Sequence, residues 1–295
     1  MPLREKIAVY ELTTDNCKLP TMPRPRVYTT PAIVLRQRRL GDADKIITLY
    51  TAARGKVEAV AKGVRRSRSK LAGYVEPLSH GTFQLAQGKN LDIVTQCETI
   101  DSFPELRDDL DRMSRALYAC ELLDKFTELA EAHFDLYRLL LDTLRRTALL
   151  DDIDTPVRFF EMALLDVLGY CPELDECVTC RERLRAVTNY WTAGGGGVVC
   201  PKCRREEASV RPISVNALKV LRVLLHGKWS DAALVAIDPD LAVELERAML
   251  EYVRWVLERD VRSAAFIDTV RRPRTRRPRT GPALAEPAAS YSPDA

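Results

Sequence analysis

Four cysteines fall in two pairs, Cys177-Val178-Thr179-Cys180 and Cys200-Pro201-Lys202-Cys203, separated by nineteen residues. This spacing constrains the chain more than any other feature. Each pair lets two thiolates reach one ion from a tight turn, so the two turns must meet at a single point. Zn²⁺ accepts four such sulfurs tetrahedrally and brings no redox chemistry of its own. With every ligand position filled by protein there is no place for water or substrate, and the spacing predicts one structural zinc ion. Two disulfides or a thioredoxin-like redox pair are the alternatives, and paired knuckles at this separation disfavour both. The other cysteines (Cys17, Cys97, Cys120 and Cys171) are scattered. Cys171 reads as a packed thiol rather than a fifth ligand, and Cys120 as core.

A chain of 295 residues with 46% hydrophobic content has room for two domains, a small third module and a sizeable core. There is no N-terminal apolar region and no run near the roughly 18 apolar residues of a membrane span. Neither a signal peptide nor a membrane segment is expected, and reduced thiols in a cytoplasm fit that reading. The net charge of +3 hides an asymmetry. Between Pro23 and Ala72 thirteen Lys/Arg face three acids, whereas between Asp101 and Tyr170 sixteen Asp/Glu face eight Lys/Arg. Such a split predicts one surface for a polyanion and another for a different kind of partner.

Pattern divides the chain. Residues 1–22 read as a disordered extension, and the proline-rich Leu19–Pro25 stretch makes Met22 an alternative start. Residues 23–100 follow a β pattern. Ala32–Leu35, Lys45–Thr51, Lys56–Ala61, Gly81–Leu85 and Leu91–Thr95 supply five strands, with Gly41-Asp42 and Arg54-Gly55 as turns. Five short strands with one long basic connection predict an OB-fold barrel. Residues 101–270 switch to helical period, with a zinc module at 171–210. Ser102-Phe103-Pro104-Glu105 reads as a capping box, followed by a core stripe of Leu106, Leu110, Met113, Leu117 and Cys120. Further helices are expected at Phe134–Leu150, from Asp154 to Gly169, at Ser214–His226 and at Pro239–Glu258. Residues 271–295 read as a disordered Arg/Pro-rich tail, with six arginines between Arg271 and Thr280. The predicted class is α+β, an N-terminal OB-fold barrel followed by a helical domain that carries a four-cysteine zinc module.

The motifs of catalysis are missing. Gly227-Lys228-Trp229-Ser230 lacks the first glycine of a phosphate-binding loop, and Gly194–Gly197 reads as a hairpin tip. The three histidines are isolated, and the carboxylates of the helical part read as solvated faces, so no enzyme is expected. The basic connection Lys62-Gly63-Val64-Arg65-Arg66-Ser67-Arg68-Ser69-Lys70 says more, with five cations in nine residues. Guanidinium forks match phosphate and stack on bases. With Arg36, Arg38, Arg39, Lys45 and Lys56 nearby in the barrel, nucleic acid outweighs a merely solvated loop. The DNA-binding set is then Arg36, Arg38, Arg39, Lys56, Lys62, Arg65, Arg66, Arg68 and Lys70. Tyr28, Tyr50, Tyr74 and Phe83 could stack on bases, although strand aromatics are more often core.

These motifs in order (Ala32–Leu35, Gly41–Thr51, Gly55–Val57, Ala61–Arg66, Pro77-Leu78) resemble the N-terminal domain of the RecO family of bacterial DNA-repair proteins. Leu168–Asp175 leading into the first cysteine pair resembles it too, as does Asp260–Phe266. The resemblance spans about residues 27–270 and leaves out the extension and the tail. It implies a recombination mediator of the RecF pathway without enzymatic turnover, cytoplasmic and associated with the nucleoid. It further implies binding of single- and double-stranded DNA and annealing of complementary strands. Partnership with RecR, help for RecA in replacing the single-stranded-DNA-binding protein, and docking of that protein's acidic tail on the helical domain complete the implication. Arg145-Arg146 is the basic spot that fits such a tail. Some members lack the cysteines, so the metal cannot be essential to the activity in general. Two readings from other classes stand beside this one: a zinc-ribbon and OB RNA-binding factor of translation or transcription, and a scaffold that works through its acidic helices.

Overall fold

The computed structural model describes residues 26–66, 69, 71–207, 209–258 and 267. The N-terminal extension with Met22, the arginine-rich tail, the Asp260–Phe266 motif and the site residues Arg68 and Lys70 lie outside the described residues.

Five strands, β1 (Val27–Leu40), β2 (Asp44–Thr51), β3 (Gly55–Ala61), β4 (His80–Ala86) and β5 (Asp92–Asp101), close into a barrel in the order β1-β2-β3-β5-β4. This is the OB-like arrangement that the strand pattern predicts. Closure depends on β1, which pairs antiparallel with β4 along its first half and with β2 along its second. A register shift between Val34 and Arg36 lets the strand bend between its two partners. Ala32, Val34, Ile47, Leu49, Ala59, Ala61, Phe83 and Leu85 fill the barrel. Their neighbours Ile33, Leu35 and Tyr50 belong instead to a core shared with the helices. Ala32–Leu35 is therefore an unbroken apolar run because both of its faces are covered.

The helices are α1 (Pro104–Asp108), α2 (Leu110–Phe126), α3 (Phe134–Leu149), α4 (Thr155–Val167), α5 (Val215–His226), α6 (Trp229–Ala232) and α7 (Pro239–Leu257). The expected capping box at Ser102–Glu105 does not form. Phe103 is buried and takes a left-handed conformation (φ 47°) ahead of Pro104, and no side chain caps α1. The chain breaks at Asp109, whose carboxylate then caps α2 by accepting from the amides of Asp111 and Arg112. That break resets the helical phase, so the expected stripe fails at Leu110, which is 51% exposed. The buried face of α2 is Ala116, Ala119, Cys120, Leu122 and Leu123. The Arg112 guanidinium crosses to the end of α3 and donates to the carbonyls of Ala148 (3.0 Å) and Leu150 (2.7 Å). Cations there satisfy carbonyls that the helix leaves unpaired.

Between α4 and α5 lies a three-stranded sheet of β6 (Asn189–Thr192), β7 (Gly197–Val199) and β8 (Arg211–Ile213), ordered β7-β6-β8. Trp191, Val198, Val199 and Ile213 pack with Leu218, Leu221, Leu245 and Met249 of α5 and α7 in a second helical core. Gly197 is required here, since a Cβ would lie 2.3 Å from the Glu173 carbonyl oxygen that accepts from the Val198 amide.

A latch joins barrel to helices. Lys56, 12% exposed at its side chain, donates to the carbonyls of Asp124 (2.6 Å) and Thr127 and lies 3.4 Å from the Asp124 carboxylate. Gly55, at φ 63°, lets the backbone of Glu131 approach so closely that a Cβ would sit 1.7 Å from its carbonyl oxygen.

Candidate metal centre and basic barrel end

The cysteine pairs sit on two turns that the backbone itself closes. The Arg181 amide donates to the Cys177 carbonyl (2.9 Å), and the Cys203 amide to that of Cys200 (3.1 Å). The hairpin of β6 and β7 returns the second pair to the first. As a result Sγ of Cys177, Cys180, Cys200 and Cys203 all lie within 4.8 Å of one another. Cys180 and Cys200 stand 3.9 Å apart, and a tetrahedron of Zn–S bonds about 2.3 Å long separates its sulfurs by roughly 3.8 Å. Four cysteines so placed could hold a metal ion. The Cys200 amide points at Cys177 Sγ from 3.3 Å. Burial pushes the Cys177 thiol up, but amide donors from Cys180, Cys200 and Thr179 outweigh it and bring the group down to about 6. A thiol that ionises near neutrality is a ready metal ligand. Cys171 instead donates to Asp166 Oδ1 (3.3 Å), as a packed thiol does.

The cations separate into two groups. Cross-strand pairing of Arg39 with Lys45, and of Lys45 with Ala61, puts Arg39, Lys45 and Lys62 at one end of the barrel. The chain leaving β3 is fastened there: the Gly63 amide donates to Asp44 Oδ1 (2.7 Å) and the Arg65 amide to the Ala43 carbonyl (2.9 Å). The Arg65 guanidinium binds the carbonyls of Gly41 and Asp42 (3.3 and 3.0 Å), which anchors an exposed arginine beside the turn. Arg39, Lys62 and Arg66 are exposed and make no ion pair among the described residues. Lys45 is bound to Glu76 at 2.9 Å.

The second group is engaged with carboxylates. Arg36 pairs with Glu58 (3.2 Å) and Asp124 (2.6 Å), Arg38 pairs with Glu58 (3.4 Å), and Lys56 is buried in the latch. Arg36 and Arg38 remain about half exposed, so their outer edges stay accessible. Sequence grouped Lys56 with the DNA contacts because nothing nearby in the chain marks its partner. Asp124 comes from α2, far downstream. Of the four candidate aromatics Tyr50 and Phe83 are core, the Arg54 guanidinium lies 3.6 Å over the Tyr28 ring, and Tyr74 is half-buried.

Comparison with known proteins agrees with this anatomy. Residues 25–103 match the family described as "Recombination protein O N terminal", and residues 107–265 the family described as "Recombination protein O C terminal". The boundary between the two falls where strand gives way to helix. A DNA repair protein RecO of Dehalococcoides mccartyi is 37% identical over 253 residues, covering 85% of this chain and 98% of its own. One from Roseiflexus is 40% identical over 248 residues (84% and 87%), and one from Symbiobacterium thermophilum 39% over 253 (83% and 98%). The chain belongs to the RecO family, and its role lies in DNA repair and recombination.

Proposed function

We propose that the chain is a recombination mediator that binds single- and double-stranded DNA and anneals complementary strands without enzymatic turnover. The observation that carries this reading is the cationic barrel end, where Arg39, Lys62, Arg65 and Arg66 are exposed beside a fastened turn. Arg68 and Lys70 follow in the same connection. Annealing needs no reacting side chain. Cations that neutralise two phosphate backbones and hold them close remove the repulsion that opposes pairing. Together with a RecR partner the protein helps RecA replace the single-stranded-DNA-binding protein in the cytoplasm, at the nucleoid. Arg145 is exposed, and Arg146 lies 4.1 Å over the Trp229 ring; this pair is the spot on the helical domain for that protein's acidic tail. Cys177, Cys180, Cys200 and Cys203 hold one Zn²⁺, which supplies a closed, structural crosslink and no activated water.

Family membership favours DNA over the RNA-factor and scaffold alternatives. The deciding experiment follows annealing of complementary oligonucleotides coated with single-stranded-DNA-binding protein, with and without RecR. Annealing faster with this chain is expected, and an unchanged rate removes the reading. Charge reversal at Arg65, Arg66 and Arg68 should weaken binding and flatten its salt dependence, by about 0.7 in log–log slope for each lost contact on single strands.

A further inference from the structure

A groove far in sequence from the barrel end has its own means of holding a nucleic-acid strand. Along α7, Arg247, Glu251, Arg254 and Trp255 recur at helical spacing, on a face away from the buried Leu245, Met249 and Tyr252. Opposite stands the β6–β8 sheet with Arg211 and the glycine tip of the β6–β7 hairpin. Between them is a hollow of about 800 Å³, within the ~300–1,000 Å³ that holds a small ligand or one nucleotide.

Trp255 is 60% exposed, among the largest apolar side chains left open among the described residues. The edge of its ring rests about 3.5 Å from where a Cβ on Gly194 would be, an ordinary contact distance that places the indole beside the hairpin tip. An exposed indole in a concave basic setting offers a π-face that any base can use. Arg211, Arg247 and Arg254 outnumber the two glutamates of the lining, Glu207 and Glu251, and Glu251 is itself paired with Arg211 (3.0 Å). A second hollow shares Arg211 and Arg247 and has Trp191 in its wall, but Asp240 and Glu244 line it as well, so the basic part is the first hollow, beside Trp255. Trp191 is 1% exposed, so it forms the floor and is not itself open to a ligand.

We propose that this groove is a second contact for single-stranded nucleic acid. One base stacks on Trp255 and the flanking phosphates meet Arg247 and Arg254. The assignment rests on the DNA-binding reading above and extends the strand's path from the barrel to the cysteine module and α7. An acidic peptide would satisfy the arginines but would make no use of an open indole face.

The test titrates the full-length protein with a short oligothymidylate and follows both affinity and tryptophan emission. Wild type, Trp255→Ala, Trp255→Phe, Arg247→Glu and the barrel variant Arg65→Glu/Arg66→Glu are compared. Oligothymidylate should quench the wild-type emission, and Trp255→Phe should remove most of that quench. Trp255→Ala should raise Kd roughly tenfold, and Arg247→Glu should lower the salt slope by about 0.7. Both positions are exposed; should Trp255→Ala fail to fold, Arg247→Glu and Trp255→Phe still give the answer. Unchanged quench and affinity in the groove variants, with weaker binding by the barrel variant, overturn the groove and leave the barrel reading intact. No binding by wild type even at low salt would sink both. Quenching of Trp255 by polyglutamate but not by oligothymidylate would give the groove to an acidic peptide and overturn the proposal.

Discussion

The barrel and the cysteine module reach order by different routes. Strands of seven to fourteen residues build the barrel, and it closes on itself, so its ladder has no free edge. The module has strands of three and four residues and a sheet that is open on both sides. So small a sheet is marginal by itself. Its order comes from two additions, the packing of Trp191 and its neighbours on α5 and α7, and four thiols gathered at one end. The barrel is specified by hydrophobic pattern, and the module by its borrowed core and its four clustered cysteines. Its own core is also the core of α5 and α7, so damage in the module should travel through the helices before it reaches the barrel.

The strongest way to break this comparison is to disrupt the four-cysteine cluster and any metal it holds. Structural zinc contributes on the order of 10 kcal/mol in small metal-folded modules, so chelation or Cys177→Ser/Cys200→Ser should be the most disruptive change. A thiol-directed mercurial should release about one zinc per chain. Trp191 should become solvent-exposed, seen as a red shift of tryptophan emission, while binding of oligonucleotide to the barrel end persists. Parallel loss of both would mean that the two regions fold as one unit, and release of no zinc would remove the metal assignment.

Glycine substitutions probe the barrel's own joint. Gly55 and Gly41 both have φ near 60°, so alanine at either incurs the left-handed penalty, roughly 1 kcal/mol. Only Gly55 has backbone against it, with Glu131 in the way, whereas Gly41 faces open space. Gly55→Ala should therefore cost about 3–4 kcal/mol by urea unfolding and Gly41→Ala about 1. Equal costs would show that the Glu131 loop yields freely and that the barrel is not clamped there.

The latch lysine comes next. Lys56→Met leaves the carbonyls of Asp124 and Thr127 without their donor and the Asp124 carboxylate with Arg36 alone. A loss of about 2–3 kcal/mol in stability is expected. The salt slope of DNA binding should not move, because this ammonium faces the helical domain and not the barrel end. A slope lowered by about 0.7 would show that Lys56 is a DNA contact as well as a latch.

Much of this fold was legible because local pattern and tertiary role coincide. The five barrel strands, the helix from Phe134, the proline-led helix after Asp154 with its stop at Gly169, and the cysteine turns each follow from their own residues. What sequence missed depends on partners distant in the chain. Leu110 reads as core by spacing, yet the break at Asp109 turns it outward. Lys56 and Arg36 read as nucleic-acid contacts by composition, which gives no sign of the α2 carboxylate that pairs with both. Trp255 and the arginines of the groove gave no signal, since they meet only when α7 packs beside β8. Periodicity carries burial well and ion pairing poorly, because a charge shows neither its partner nor its direction.

The smallest effect expected tests the seam between barrel and helices through pH. His80 of β4 is buried, and its Nε2 meets the Tyr137 hydroxyl of α3 at 2.8 Å. Burial, helped by the charge of Arg145 on α3, lowers its pKa to about 4, while Asp101 of β5 pulls the other way. An unfolded histidine titrates near 6.5. Between about pH 6.5 and 4 the unfolded chain therefore holds the extra proton, so stability is full above that window and falls as pH drops through it, by up to roughly 1.4 kcal/mol per pH unit. In His80→Leu this part of the loss is absent. The stability advantage of wild type over the variant, measured by urea unfolding, should shrink by about 1–2 kcal/mol between pH 7 and pH 5. A constant advantage would mean that the seam admits the proton, with His80 reached by water rather than sealed between sheet and helix.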